Sequence, residues 1–542
     1  MQEWLKSRHP TDDSKRMAVL IAMALILATP VVGYMIFKTD KTMLLIGLGG
    51  LGVVLFSLFK PEAATVTVAF VLYTNIAVVA KTLHGLPDFL AGSFALLLCL
   101  PLANYLFIKR EKLIIDYVFL LMCVLLAVAV ASSFFAVDKE LAFKWVLNYI
   151  IEGMAIYFLF VNVIRKVEVL RKVITVLLFA GAILGAMSLY QELFNNYRQT
   201  FWGLAQRNHE LDFQEEFYGD VFGEGKIIEK REKVRGSNRA AGPFGKPNRY
   251  AQIMLVLAPL GLFRFWAERR MSRKFWTALA TIFILSGTLL TYSRGAFVTM
   301  VLMILLLLIF RYVRLHQLLI SLVVLVLLMV VAAPGYFVRV QSIAGVQSLF
   351  SSRAEVKADG TTRGRLTEML AALLAFLDYP VLGVGPAQYT PYYSNEYQSD
   401  PDIAFRFLGR NRRAHILYFE LAAETGILGI GTFMAIAVLV LYRLWTVRRK
   451  TIGRDPDFAY LATSLWFGVI AYLGTAIFLH LSYQRYYWFI VSIAGAAIQI
   501  YYNQIAPKLE AEGRESPDVE TSPPGSKPAR EPVLPTLPDR FS

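Results

Sequence analysis

Uninterrupted apolar runs of about 20 residues recur along most of this chain, and each is as long as a helix needs to cross the hydrocarbon layer of a membrane. No water-soluble core requires so many. With 56% of its 542 residues hydrophobic, the chain reads as an all-α polytopic membrane protein. We read about fourteen transmembrane helices, over residues 17–37, 43–59, 64–80, 89–108, 113–134, 143–164, 173–194, 250–267, 275–292, 297–310, 318–333, 416–442, 458–479 and 486–502.

Charge sets the orientation. Lys109, Arg110 and Lys112 fall in one connection, and Arg165, Lys166, Arg171 and Lys172 in another. Arg269, Arg270, Arg273 and Lys274 follow, then Arg311 and Arg314, then Arg443, Arg448, Arg449, Lys450 and Arg454. Lys and Arg gather on the cytoplasmic side, so these connections and both termini are expected there. The net charge of +15 follows from that bias and gives no reason to invoke nucleic acid. The first apolar run is too long for the core of a cleavable signal and lacks a small-residue cleavage site, so it is expected to stay as an anchor. Cys99 and Cys123 lie inside apolar runs and suggest neither a disulfide nor a metal framework.

This divides the chain into an N-terminal transmembrane bundle (1–194), a first long outer loop (195–247), further spans (248–333), a second long outer loop (334–413), C-terminal spans (414–505) and a tail (506–542). The tail is rich in Pro, Ser and charge, a composition expected to be disordered. Within the second loop, TTRGRLTEMLAALLAFLDYP has helical periodicity and should stop before Pro380. The Gly and Pro of GVGPAQYTPYY then imply a turn. No internal repeat is evident, so a transporter built on inverted repeats gains no support.

The residues that suggest chemistry gather on the outer side. Arg294, in TYSRGA between two spans, is a cation beside the hydrocarbon on the side where the charge bias does not call for one. An anionic ligand is the functional reading of such a residue. Guanidinium forks bind phosphate oxygens bidentately, and Arg239, Arg249 and Arg365 are further candidates, with snorkelling or a surface ion pair as the alternative. His415 stands where a helix should open, after Arg410, Arg412 and Arg413. A neutral imidazole there can take a proton from a sugar hydroxyl, or it can simply cap or pack. Tyr389 and its neighbours Tyr392, Tyr393 and Tyr397 are positioned to stack on sugar rings or to form an interfacial belt. Asp400 and Asp402 have the spacing of a metal-binding pair, although Pro between two Asp residues equally makes a turn. We assign no metal and no cofactor. No phosphate-binding Gly-rich loop, Ser-His-Asp order or Cys-x-x-Cys spacing is present.

These segments, in order, resemble the O-antigen ligase and polymerase superfamily of bacterial membrane glycosyltransferases. The resemblance rests on Arg239 before the G-x-F-x-x-P-N of NRAAGPFGKPN, on Ser293-Arg294-Gly295, on the turn PVLGVG, and on the His415-led helix with Gly426 and Gly429 downstream. It implies a C-type glycosyltransferase-like architecture in the bacterial inner membrane, with the active site outside the cytoplasm. It implies a metal-independent reaction in which Arg239 and Arg294 hold the diphosphate of an undecaprenyl-diphosphate-linked glycan donor. His415 would activate a hydroxyl of the acceptor, a glycan or lipid A-core. Apart from the resemblance, Arg249, Arg365 and Tyr389 are candidates for secondary substrate contacts by residue type and place alone. Ile416 and Leu428-Gly429 depart from the pattern usual in ligases, so ligase and polymerase both stay open, with lipopolysaccharide or exopolysaccharide as the product class. A transporter or flippase of lipid-linked sugars is the alternative from another class. It predicts charges spread along a route through the bundle, whereas the midsections of the later runs are nearly free of charge.

Overall fold

The computed structural model describes residues 52, 60–87, 92, 94–207, 212–213, 227–228, 239–317, 360–397, 413–481 and 484–515. The spans expected over 17–37 and 318–333, nearly all of 43–59, Asp400, Asp402 and the tail beyond 515 lie outside the described residues.

Helices α1 (Pro61–Thr74) and α2 (Ile76–His84) replace the straight span expected over 64–80, and they meet at a bend of 55°. The bend has a polar cause. Asn75 takes a left-handed backbone (φ 59°), and its side-chain amide donates to Pro243 O at 3.0 Å. After a short apolar stretch at Phe94–Ile108 comes α3 (Tyr117–Ser133), opened by Asp116, whose carboxylate accepts from Phe119 N at 2.9 Å. Helix α4 (Lys139–Asn148) passes through a π-helical turn at Tyr149–Ala155 into α5 (Ile156–Val163), and α6 (Val167–Leu193) follows.

The first long loop is not structureless. Its strand β1 (Gln206–Arg207) pairs antiparallel with β4 (Ala240–Gly242), and β2 (Asp212–Phe213) pairs with β3 (Ile227–Ile228). Beyond it are α7 (Pro247–Ala267), α8 (Met271–Leu289), α9 (Arg294–Ile309), α10 (Gly360–Asp378), α11 (Leu417–Thr451), α12 (Pro456–Thr475) and α13 (Gln484–Ile500). From Tyr501 onward the described residues belong to a second unit, with a π turn at Tyr501–Ile505 and a helix at Ala506–Glu515.

Among the described residues, six helices are long and apolar enough to cross a membrane, or seven if α1 and α2 count as one bent span. The chain is thus mostly helical with little strand, and its described residues hold several candidate spans out of the fourteen expected of the whole chain. Part of the difference lies in the undescribed segments and part in helices such as α3 and α9, which are apolar but shorter than a full span, while α8 is long enough but is not among the candidates. Helix α7 lies at the centre, packed against α8 and α12, and Tyr250, Ala251, Met254 and Leu257 on it are fully buried. Close approach between α6 and α8 depends on Gly185, where a Cβ would come within 2.0 Å of Phe283 O.

A buried ion pair ties the N-terminal helices to α13. Arg485, 3% exposed, donates to Glu152 Oε1 at 3.1 Å and to Asn75 Oδ1 at 2.6 Å. Removing one partner of a buried pair strands the other charge, so Arg485→Met is expected to cost about 3 kcal/mol or more. Thermal unfolding in detergent should show the loss, and adding Glu152→Gln to the same chain should recover most of it.

Candidate active site

The sequence YSRG folds as a turn followed by a helix start. Tyr292 adopts φ 51°, Ser293 caps α9 by accepting from Ala296 N at 3.4 Å, and Arg294 is the first helical residue. The half-buried Arg294 therefore sits at the positive end of a helix dipole, where backbone N–H groups and a guanidinium favour an anion together.

Arg239 is brought to the same turn. Its Nε donates to Thr291 O at 2.7 Å and its terminal nitrogen to Asn248 Oδ1 at 2.8 Å, while Ala240 N donates to Leu290 O at 3.0 Å. The loop motif NRAAGPFGKPN and the turn before α9 are thus one unit.

His415 is also in a left-handed backbone conformation (φ 50°). A non-glycine residue there is strained by about 1 to 3 kcal/mol and persists when its neighbours fix it from both sides. Those neighbours are identifiable. The buried carboxylate of Glu420 accepts from Ala414 N at 3.0 Å and from Arg413 Nε at 2.9 Å. On the other side, Leu417 N donates to Ala476 O at 3.0 Å. The N-cap of α11 is Ile416, which makes no side-chain capping bond, so His415 does not serve as a helix cap.

The segment 476–480, just after α12, is where these parts meet. Ala476 O holds the start of α11, and Phe478 packs on Gly295, where a Cβ would lie 2.8 Å from its side chain. His480 O accepts from Arg249 at 2.7 Å, and the His480 ring stands 5.8 Å from that of His415, centroid to centroid. His480 is 2% exposed. Burial, helped by the positive charges of Arg413 and Arg249, pushes its imidazole well below the usual histidine range, so it is neutral at pH 7. His415, at 27% exposure, is the histidine of this pair that a ligand can reach.

The secondary candidates separate. Arg249 is buried and its guanidinium is engaged by Gln252 Oε1 at 2.9 Å and by His480 O, so it braces the site from behind. Tyr389 is fully buried and its hydroxyl donates to Glu368 O at 2.5 Å, which leaves no face exposed for stacking on a sugar. Arg365 is half-buried on α10, one turn before Glu368. The charge pattern of the sequence did not single out Glu368, Glu420 or His480. For His480 the signal was its place in IFLH at the end of an apolar run, which marks only a span boundary.

The turn PVLGVG is spliced into a break in α11. Gly426, at φ 63° and ψ −167°, interrupts the helix. Val384 N and Gly385 N donate to Ala423 O and Glu424 O at 2.9 and 3.0 Å, while Ile427 N donates to Pro380 O at 2.8 Å. The loop thereby replaces the hydrogen bonds that the break removes. Ser132 at the end of α3 donates to Leu382 O at 2.6 Å and fixes the splice from a third side.

Residues 279–434 match the family model described as O-antigen ligase. The match takes in Arg294, Arg365, Glu368, the spliced turn and His415, and over this stretch the resemblance read from the motifs holds. No curated protein matches the chain.

Proposed function

We propose that this protein is a membrane glycosyltransferase that transfers or polymerises an undecaprenyl-diphosphate-linked glycan on the extracytoplasmic face of the bacterial inner membrane. The observation that carries the reading is the convergence on residues 476–480 of the α9 turn, which bears Arg294 and binds Arg239, with His415. In this reading His415 takes the proton of an acceptor hydroxyl as its oxygen attacks the anomeric carbon. The bond from that carbon to the diphosphate breaks, and the electron pair leaves on the diphosphate oxygen. Arg239, Arg294 and the α9 N-terminus neutralise the charge that develops there. The match to an O-antigen ligase family supports an enzyme over a passive transporter, and so does the gathering of these residues at one end of the helices.

Transfer from a purified undecaprenyl-diphosphate glycan to defined acceptors is the test. Arg294→Lys should lose roughly 10-fold or more despite keeping its charge, because an ammonium cannot reproduce the planar fork. A chelator should leave turnover intact. Activity abolished by chelator and restored by Mg²⁺ or Mn²⁺ would transfer the role to Asp400 and Asp402.

A further inference from the structure

The second long loop contributes a carboxylate to His415 through α10. Glu368 is 0% exposed, and its Oε2 stands 3.6 Å from His415 Nε2. That is an ionic contact slightly beyond hydrogen-bond length, as catalytic pairs often are before substrate binds. Two features hold Glu368 in place: its backbone carbonyl accepts from the buried Tyr389 hydroxyl, and α10 packs along α11. On the other side of the contact, His415 is fixed by its strained backbone, with Ala414 and Leu417 both tied down.

We propose that Glu368 is the positioning residue of His415, orienting the ring with Nε2–H toward the carboxylate so that the Nδ1 lone pair is left for the acceptor hydroxyl. The inference rests on the reading of His415 as the base. When His415 takes the proton, the imidazolium forms against a fixed anion and needs no rearrangement of water to stabilise it. The His480 ring lies beside that of His415, and Arg413, Arg249 and Lys246, which precedes α7, bear on His480 as positive charges. Glu420 and Glu424 are the buried carboxylates of α11. Arg413 is engaged by Glu420, and Glu368 is a carboxylate in direct contact with the His415 ring.

Glu368→Gln keeps the volume and removes the charge. A carboxylate at this distance favours the imidazolium, so removing it makes His415 less basic. The acid limb of the transfer rate, where the base becomes protonated, should therefore move to lower pH by about one unit. Turnover on the plateau should fall roughly 10-fold or more, with the KM for the lipid-linked donor unchanged. Glu368→Asp should restore part of both effects. A merely structural Glu368 would lower stability or rate and leave the limb in place.

Ring-carbon NMR of ¹³C-histidine-labelled protein in detergent, with the His415 signal assigned from His415→Gln, measures the same midpoint without any turnover. A midpoint unchanged between wild type and folded Glu368→Gln protein overturns the proposal, whatever His415 does in catalysis. A His415→Gln enzyme with the wild-type rate would instead sink the reading of His415 as base, whatever the NMR midpoint shows.

Discussion

Purified His415→Gln protein should transfer glycan about 10² to 10⁴-fold more slowly than wild type, the range contributed by a positioned proton acceptor. Glutamine keeps the size and a hydrogen bond but accepts no proton at neutral pH, so it should be nearly as defective as alanine. Donor binding should be almost unchanged, since the arginines that hold the diphosphate in the proposed mechanism belong to other segments. That separation distinguishes an enzyme from a transporter, in which binding and activity would change together. Expression and melting temperature report on folding. That control is needed because residue 415 has φ 50°, a conformation that glutamine and alanine adopt no more readily than histidine. A His415→Gln enzyme with near wild-type turnover would reduce the histidine to a packing element.

Gly426→Ala is the substitution expected to harm the fold most. The backbone there has φ 63°, and an added Cβ would lie 2.2 Å from Val381 O and 2.6 Å from Leu382 N, atoms of a loop that cannot shift without losing its own hydrogen bonds. Strain and clash together should cost about 3 to 5 kcal/mol. Gly431 lies on the same helix with nothing within 4 Å of where its Cβ would be. Gly431→Ala should therefore be neutral, or stabilising by up to about 1 kcal/mol through helix propensity. Comparative melting of the two variants in detergent checks both values, and equal effects would show that the break in α11 does not need its glycine.

Where a local signal existed, the sequence announced the structure. The apolar runs marked most of the described helices, the stop before Pro380 is seen at Asp378, and the Gly-Pro turn falls where its composition put it. The α1–α2 bend was missed because a single Asn in an apolar run looks tolerable. Its cause is a set of polar contacts to residues 168 and 410 positions away. Arg294, Arg239 and His415 stood out because a cation or imidazole beside a span needs a reason. Glu368 did not, because on an amphipathic helix a carboxylate looks solvated until the neighbouring helix is placed against it. The burial of Tyr389 was not legible for a related reason: aromatic clusters look the same at an interface and in a core until the partner of the hydroxyl is known.

The splice between residues 380–385 and α11 also bears on the order in which the chain can assemble. A peptide group without a partner in hydrocarbon costs several kcal/mol, so a spanning helix with an open break is a poor intermediate. Until the loop arrives, the cheaper state for α11 is one continuous helix through residue 426, which hides the carbonyls of Ala423 and Glu424. Docking the loop must then reopen a helix that has already formed. The last step in building this part of the fold is therefore expected to be an exchange of hydrogen bonds rather than a gain of them, and it completes the helix that begins just after His415, the base of the proposed mechanism. Maturation of this protein should be slow relative to membrane insertion, with full-length inactive chains preceding active ones.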